Sequence, residues 1–346
     1  MLFFDKHGCI GRFGSRLHQA TFVIDLIKRN SMSSTITLIP LIAALMSANQ
    51  TIHYPSTGSI NFSPSNDTQR ALCEAYRLDP FMLQRFSPAE YATCVSLDIE
   101  EVNKFLGTKG FNARLSGGSE RALYVAAMLN IRFEWPMIGD LGFLSVDGVD
   151  YPSVRFETRH GHEFSVYHLR DCAEISEVLA VTATNGDEIF MAMQEGDTVL
   201  QRFDLLEAIS RWKRDERRSL RYNTVIFPMI DIDHEVDTTW LSGLQVINDA
   251  SVLCEIGQAV QQTKFQMNHK GAAVESAAAM EVLDGDGSGK KEYRAFTINR
   301  PFYLWIMRKD VTTPIFAGYI DHSNWKAPVD TEDVIDRSVS SCCCIQ

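Results

Sequence analysis

The stretch from Gly271 to Arg300 restricts what this chain can fold into more than any other part of it. Its first portion, Ala272-Ala-Val-Glu-Ser-Ala-Ala-Ala-Met280, consists of small residues without an apolar face at helical spacing. Its second, Asp284-Gly-Asp-Gly-Ser-Gly-Lys-Lys-Glu-Tyr293, is a polar, glycine-rich loop. About thirty residues with no packing face of their own are uncommon inside a compact domain, and they mark a functional loop. The fold must therefore carry a long excursion between two well-patterned regions.

Composition narrows the class. With 346 residues, 45% hydrophobic and 22% charged, the chain can bury a large core, which argues against disorder and fibre. Lys+Arg 33 against Asp+Glu 44 gives a net charge of −11, the wrong sign for neutralising nucleic-acid phosphates, so no nucleic-acid partner is expected. Of 8 cysteines, Cys342, Cys343 and Cys344 crowd the C-terminus, and the others form no CxxC pair. Neither a disulfide framework nor a zinc site is expected.

Hydrophobic patterning predicts a mixed α+β chain without internal repeats. Helices are expected over Thr21–Arg29, Pro40–Ser47, Pro80–Glu90, Ile99–Leu106 and Leu205–Arg218. Strands are expected over Ser34–Leu38, Arg70–Leu78, Glu120–Trp135 and Tyr222–Asp233. Further strands should alternate with turns between Phe143 and Met193, two more should close the chain between Phe296 and Ile320, and Gln50–Gln69 reads as a surface loop.

Several metal and catalytic readings fail on the residues. Asp284, Asp286, Ser288 and Gly289 occupy the first positions of a calcium loop, but Ala295 stands where a bidentate Glu is required. His160, His162 and His168 would share one face of a single strand, yet Gly161 and the sheet edge favour scattered surface residues. GxSxG, GxGxxG, HExxH and Walker patterns are absent, so neither an enzyme nor a cofactor is expected.

Motifs in order along the chain carry a family resemblance. Phe265-Gln-Met-Asn-His-Lys-Gly271 followed by Val274-Glu-Ser-Ala-Ala-Ala-Met280 resembles the strand and hinge that lead into a serpin reactive-centre loop. Ile298-Asn-Arg-Pro-Phe-Tyr-Leu-Trp-Ile306 and Pro314-Ile-Phe-Ala-Gly-Tyr319 resemble the last two serpin strands. Asn130–Trp135 resembles the central strand that ends in the breach tryptophan, here Trp135, and Val102–Gly110 resembles the helix crossing the main sheet. Phe227-Pro228 before Glu235–Leu241 matches a strand-to-helix turn of the same family.

The resemblance covers roughly residues 20–327 and implies a serpin fold, with three β-sheets, surrounding helices and an exposed reactive-centre loop at about 272–295. It implies one domain over residues 1–327 and a flexible tail over 328–346. The implied function is a suicide-substrate inhibitor of a serine or cysteine protease, held as a covalent acyl complex, the inhibitor itself being a monomer. Hinge residues would be Val274, Glu275, Ser276, Ala277, Ala278 and Ala279. The scissile residue stays open between Asp284, Asp286 and Lys290, an acidic residue suiting caspase-like or granzyme-like proteases and a lysine trypsin-like ones. The alternative is a non-inhibitory serpin-fold binding or decoy protein.

The chain also departs from the serpin pattern. A polar cluster that closes the family's main sheet is replaced by Ile39, Ile42, Ala127 and Gln261, and a Glu–Lys pair near the hinge by His269 and Met229. The ends carry address signals. Cys343-Cys-Ile-Gln346 has the form of a prenylation box, with Cys342 available for palmitate, which predicts a cytoplasmic protein held on membranes by lipid. A start at Met32 would instead predict secretion, with sequons at Asn49, Asn61 and Asn66.

Overall fold

The computed structural model describes residues 34–37, 39–45, 61–78, 82–87, 90–109, 111, 114–117, 122–129, 133–157, 164–169, 172–212, 217–219, 222–247, 253–272 and 294–328. Their strands make three sheets. In the first, seven antiparallel strands run in the order Ser34–Ile36, Phe316–Ile320, Phe302–Met307, Glu188–Met193, Glu177–Thr182, Phe164–His168 and Arg217–Ser219. Its middle is buried on both faces, which is why Phe302-Tyr-Leu-Trp-Ile-Met307 is apolar without alternation. The helix Arg202–Trp212 buries Leu205, Ala208, Ile209 and Trp212, one stripe at helical spacing, and Trp212 packs 5.5 Å from Tyr303 and 5.6 Å from Trp305.

The second sheet has four strands in the order Arg294–Thr297, Tyr222–Pro228, Val149–Glu157 and Asp140–Val146. Its outer hairpin turns on Asp147-Gly148, both at positive φ (52° and 80°), the geometry that two-residue hairpins demand.

The third sheet is built on the 15-residue strand Leu253–Met267. Ile230–Val236 pairs antiparallel with its residues 261–267, and Ala122–Leu129 pairs parallel with residues 255–260. Along Ala122–Leu129 the side chains alternate. Ala122, Tyr124 and Ala126 join Val102 and Leu106 of the helix Ile99–Thr108, whereas Leu123, Val125 and Ala127 enter the main core. The sheet thus has the helix on one face and the seven-stranded sheet on the other, where Phe265 stacks on Phe316 at 4.8 Å.

Several sequence expectations need correction. Arg70–Leu78 is helical, within Asp67–Leu78. Asn66 Oδ1 accepts from the Gln69 amide at 2.8 Å and Gln69 Oε1 from the Ser65 amide at 2.7 Å, a reciprocal cap that starts the helix. The Asn66 sequon amide also donates to Trp240 O, so this side chain is committed to the fold. Asn61–Ser63, inside the expected loop, is a strand paired with Gln245–Ile247. In place of a helix over Pro80–Glu90 there is one 3-10 turn, Met82–Arg85. Within Glu120–Trp135, by contrast, Ala122–Leu129 and Phe133–Glu134 are strand as expected. The Leu205–Arg218 helix ends at Trp212, and Arg217–Ser219 pairs as a strand. Tyr222–Asp233 divides at Met229, whose amide donates to Pro152 O as the last bond in register with Val149–Glu157, and Ile230–Val236 joins a different sheet.

One buried ion cluster ties the fold together. Arg308 donates Nε and Nη2 to the two oxygens of Asp187 (3.1 and 2.9 Å) and Nη2 also to Glu90 (2.7 Å), with its guanidinium 4.5 Å over the Phe86 ring. The Asp187 side chain is 3% exposed and that of Arg308 12%. Removing Arg308 would strand a buried carboxylate, so Arg308→Ala should lose about 3–5 kcal/mol in urea unfolding, whereas Glu90→Gln, which leaves Asp187 paired, should lose far less.

Candidate functional site

At one end the third sheet is forked. The parallel pairing of Leu253–Met267 with Ala122–Leu129 runs from Glu255↔Ala122 to Val260↔Ala126, and among the described residues no pair joins 261–266 to 127–129. The same flank closes again at its tip, by a different device. After Met267 the chain reverses, and Gly271–Ala272 lies as a short strand between Met267 (opposite Ala272) and Phe133–Glu134 (Gly271 opposite Glu134, Ala272 opposite Phe133).

The reversal is made by Asn268. Its side-chain Oδ1 accepts from the amides of Lys270 (2.9 Å) and Gly271 (3.2 Å), and its own amide donates to Gly271 O at 2.8 Å. Trp135 clasps the turn twice, its indole Nε1 donating to Asn268 O at 2.8 Å and its amide to Lys270 O at 3.0 Å; the Gly139 amide adds a bond to His269 O at 2.8 Å. The Trp135 ring sits edge-on to Phe156 (5.8 Å) and Phe227 (6.1 Å) of the four-stranded sheet. Glu134 O accepts from Thr184 of the turn after Glu177–Thr182 at 2.9 Å. All three sheets therefore meet at this tip.

Below it lies a cavity of ≈ 40 Å³, lined by Thr37, Phe133, Gln261, Thr263, Phe265 and Phe316 among others. Gln261 Nε2 donates to Thr37 O at 3.2 Å, a buried bond between the long strand and the segment leading into the helix 39–45. Ile39, Ile42 and Ala127 are buried apolar residues. His269 and Met229 are buried as well, and His269 Nδ1 has no partner. Burial, and next the charge of Lys270, push the His269 pKa below the ordinary 6.5.

Of the residues singled out in the sequence, Trp135 is described, and it sits at the mouth of the fork. Val274, Glu275, Ser276, Ala277, Ala278, Ala279, Asp284, Asp286, Lys290, Cys342 and Cys343 lie outside the described residues, as do His160 and His162. His168 Nδ1 lies 3.2 Å from Glu177. The loop's anchors are plain: it leaves from the fork at Ala272 and returns at Arg294–Thr297, the edge strand of the four-stranded sheet. Sequence reasoning missed the turn-forming role of Asn268, although the spacing Asn268-His-Lys-Gly271 carries that signal.

No protein-family model and no curated protein matches the chain. Solved structures do. Human thyroxine-binding globulin complexed with thyroxine superposes with a TM-score of 0.55 at 12% identity, over 89% of this chain and 96% of that one. Serpin48 of the insect Tenebrio molitor gives 0.52 at 11% identity, over 90% and 99%. Mouse protein-Z dependent protease inhibitor gives 0.50 at 10% identity, over 87% and 93%. The chain has the serpin fold.

Within this serpin fold Gly271 is fixed by space, since a Cβ there would lie 2.0 Å from Phe133 O and 2.9 Å from Glu134 Cα. Backbone cannot yield as a side chain can. Gly271→Ala should therefore unseat the short strand, costing about 3 kcal/mol and speeding proteolysis within Asn268–Ala272, read by mass spectrometry of limited digests.

The buried His269 gives the tip an acid sensitivity. Above pH 6.5 the ring is neutral whether the turn is packed or released, and titration costs nothing. As the pH falls through 6.5 the released form takes up a proton that the packed site resists, so stability declines until the site's own lower pKa is passed. Melting temperature should drop between pH 7.5 and 5.5 by more in the wild type than in His269→Gln; equal drops would remove His269 as the cause.

Proposed function

We propose that the chain is a protease inhibitor that acts once, as a suicide substrate, through the loop between Ala272 and Arg294. The observation that carries this reading is the fork. Two parallel strands of one sheet part company above Val260, and the first residues of the loop, Gly271–Ala272, already occupy the gap at its tip. A loop rooted there needs no new anchor to continue into the sheet as a further strand.

The chemistry follows from that position. A protease nucleophile attacks the carbonyl of a residue between Asp284 and Lys291, the peptide C–N bond breaks, the new amine leaves on the Arg294 side, and an acyl-enzyme remains on the Ala272 side. Insertion of the freed segment then adds backbone hydrogen bonds along both fork edges and drags the acylated protease away from the leaving amine. Ser276, Ala277, Ala278 and Ala279 offer little bulk to slow that step. Likeness to a structure named for protease inhibition supports the same reading.

A binding role without trapping is the second reading, favoured by the likeness to a globulin whose structure holds thyroxine. Incubation with a panel of serine and cysteine proteases separates the two. The inhibitor should give an SDS-stable complex with at least one protease and, on cleavage in the loop, a melting temperature higher by 10 °C or more, about five times what one kcal/mol shifts in a chain of this size. Ala278→Glu should abolish the complex while leaving cleavage intact. Cleavage of the wild type with neither complex nor thermal gain would establish the binding role instead.

A further inference from the structure

The four-stranded sheet ends on one side at Asp140–Val146, beyond which no strand is paired among the described residues. The hairpin register fixes which backbone groups that edge leaves open. Across a two-residue turn the flanking residues exchange both ladder bonds, and bonding alternates from there. With Val146 opposite Val149, the inward-bonding residues are Val146, Leu144, Gly142 and Asp140, and Leu141, Phe143 and Ser145 turn their amides and carbonyls outward. Pro152, opposite Phe143, agrees: its carbonyl is taken on the far side by the Met229 amide.

The edge lacks the usual guards. Exposed edge strands are normally blunted by charges, a proline or a bulge. Arg294–Thr297, at the other side of the same sheet, begins with an arginine, and Ile230–Val236 carries Asp231, Asp233 and Glu235. Leu141–Val146 has no charge and no proline, and its register runs without a shift. Three of the four large apolar residues exposed among the described ones lie here, Ile138 (56%), Phe143 (51%) and Val149 (50%). Phe143 and Val149 stand on opposite faces of the hairpin, since Val149 opposes Val146, three residues from Phe143. A partner lying on one face would cover one of them, whereas a strand added at the edge runs beside both.

Charge says what kind of strand. Asp140 and Asp147 stand exposed at the two ends of the apolar run, and Arg155, opposite Asp140, pairs instead with Glu157. A second copy added antiparallel about Phe143 would bring Asp140 of one chain beside Asp147 of the other, between molecules each of net charge −11. A cationic partner meets attraction at both ends.

We propose that Asp140–Val146 is a docking edge for an extended segment of another protein, added antiparallel as a further strand, with an apolar residue opposite Phe143 and Lys or Arg at both ends. In that register the residue opposite Asp147 comes four before the one opposite Phe143, and the residue opposite Asp140 three after it. The segment thus reads basic-x-x-x-apolar-x-x-basic. The edge is separate from the fork, and the proposal does not rest on the protease reading.

The test adds the fluorescently labelled peptide Lys-Val-Thr-Val-Phe-Thr-Val-Lys to the full-length chain, beside the same peptide with Glu at both ends. The Lys peptide should bind about tenfold more tightly and should slow hydrogen exchange within Asp140–Val146. The preference should vanish in the Asp140→Asn, Asp147→Asn double variant, where Asn tolerates the positive φ of the turn. Phe143→Pro, which removes an outward amide but no ladder bond, should bind neither peptide. No binding by the wild type, equal binding of the two peptides, unchanged exchange at the edge, a preference kept by the double variant or binding that survives Phe143→Pro would each overturn the proposal. So would a wild-type chain that sediments as a dimer while Phe143→Lys is monomeric, since the edge would then belong to a second copy.

Discussion

The clasp of Trp135 on the turn at Asn268–Gly271 is the constraint on which the rest depends. Without it the long strand Leu253–Met267 would run on past the sheet, and the loop would leave the molecule in the strand's direction. With it, the chain is reversed within three residues and delivered between Met267 and Phe133–Glu134. The clasp draws rigidity from elsewhere: the Trp135 ring is wedged against Phe156 and Phe227, and Glu134 is bonded to Thr184. A loop can be aimed only from a fixed root, and this root is fixed by all three sheets.

Legibility in the sequence followed the source of each signal. Elements specified locally were readable: the helix at Ile99, capped by Asp98 and striped by Val102 and Leu106, and the buried strand Phe302–Met307 with its unbroken apolar run. Arg70–Leu78 was misread as a strand although its apolar residues recur at helical spacing, and the caps at Asn66 and Gln69 that start the helix lie upstream of the expected strand. Tyr222–Asp233 was misread as one strand because its extended pattern runs on across Met229, and the two halves differ only in which sheet they join. For the candidate site, Trp135 could be named from residue types in order, whereas the expected loop and hinge lie outside the described residues. The fork could not, since it arises where a parallel pairing stops, and no residue type announces that a partner ends.

The closed fork is an under-satisfied arrangement. Over residues 261–266 the long strand has Ile230–Val236 on one side, while across the other the next strand pairing belongs to the tip. Open strand edges invite pairing, and a protein that keeps one must control what enters. Here control is steric at the mouth and polar inside. Gly271, with no room for a Cβ against Phe133 O, fills the mouth; Gln261 spends one end of its amide on Thr37 O and leaves the other for whatever follows.

Ile39, Ile42 and Ala127 lie buried in the same core. Apolar residues at these sites leave no orphaned donors when the strands are closed and none when they part, so they neither hold the sheet shut by hydrogen bonds nor resist its opening. Packing holds this region, and the single Gln261–Thr37 bond ties the long strand to the segment that leads into the helix 39–45. A bond between neutral groups is worth about 1 kcal/mol, small beside the several backbone bonds that an added strand supplies. Retention of the closed state then rests on the tip, where the Asn268 turn and the Trp135 clasp together outnumber the one bond below. The turn at the tip is thus the most densely hydrogen-bonded part of this flank.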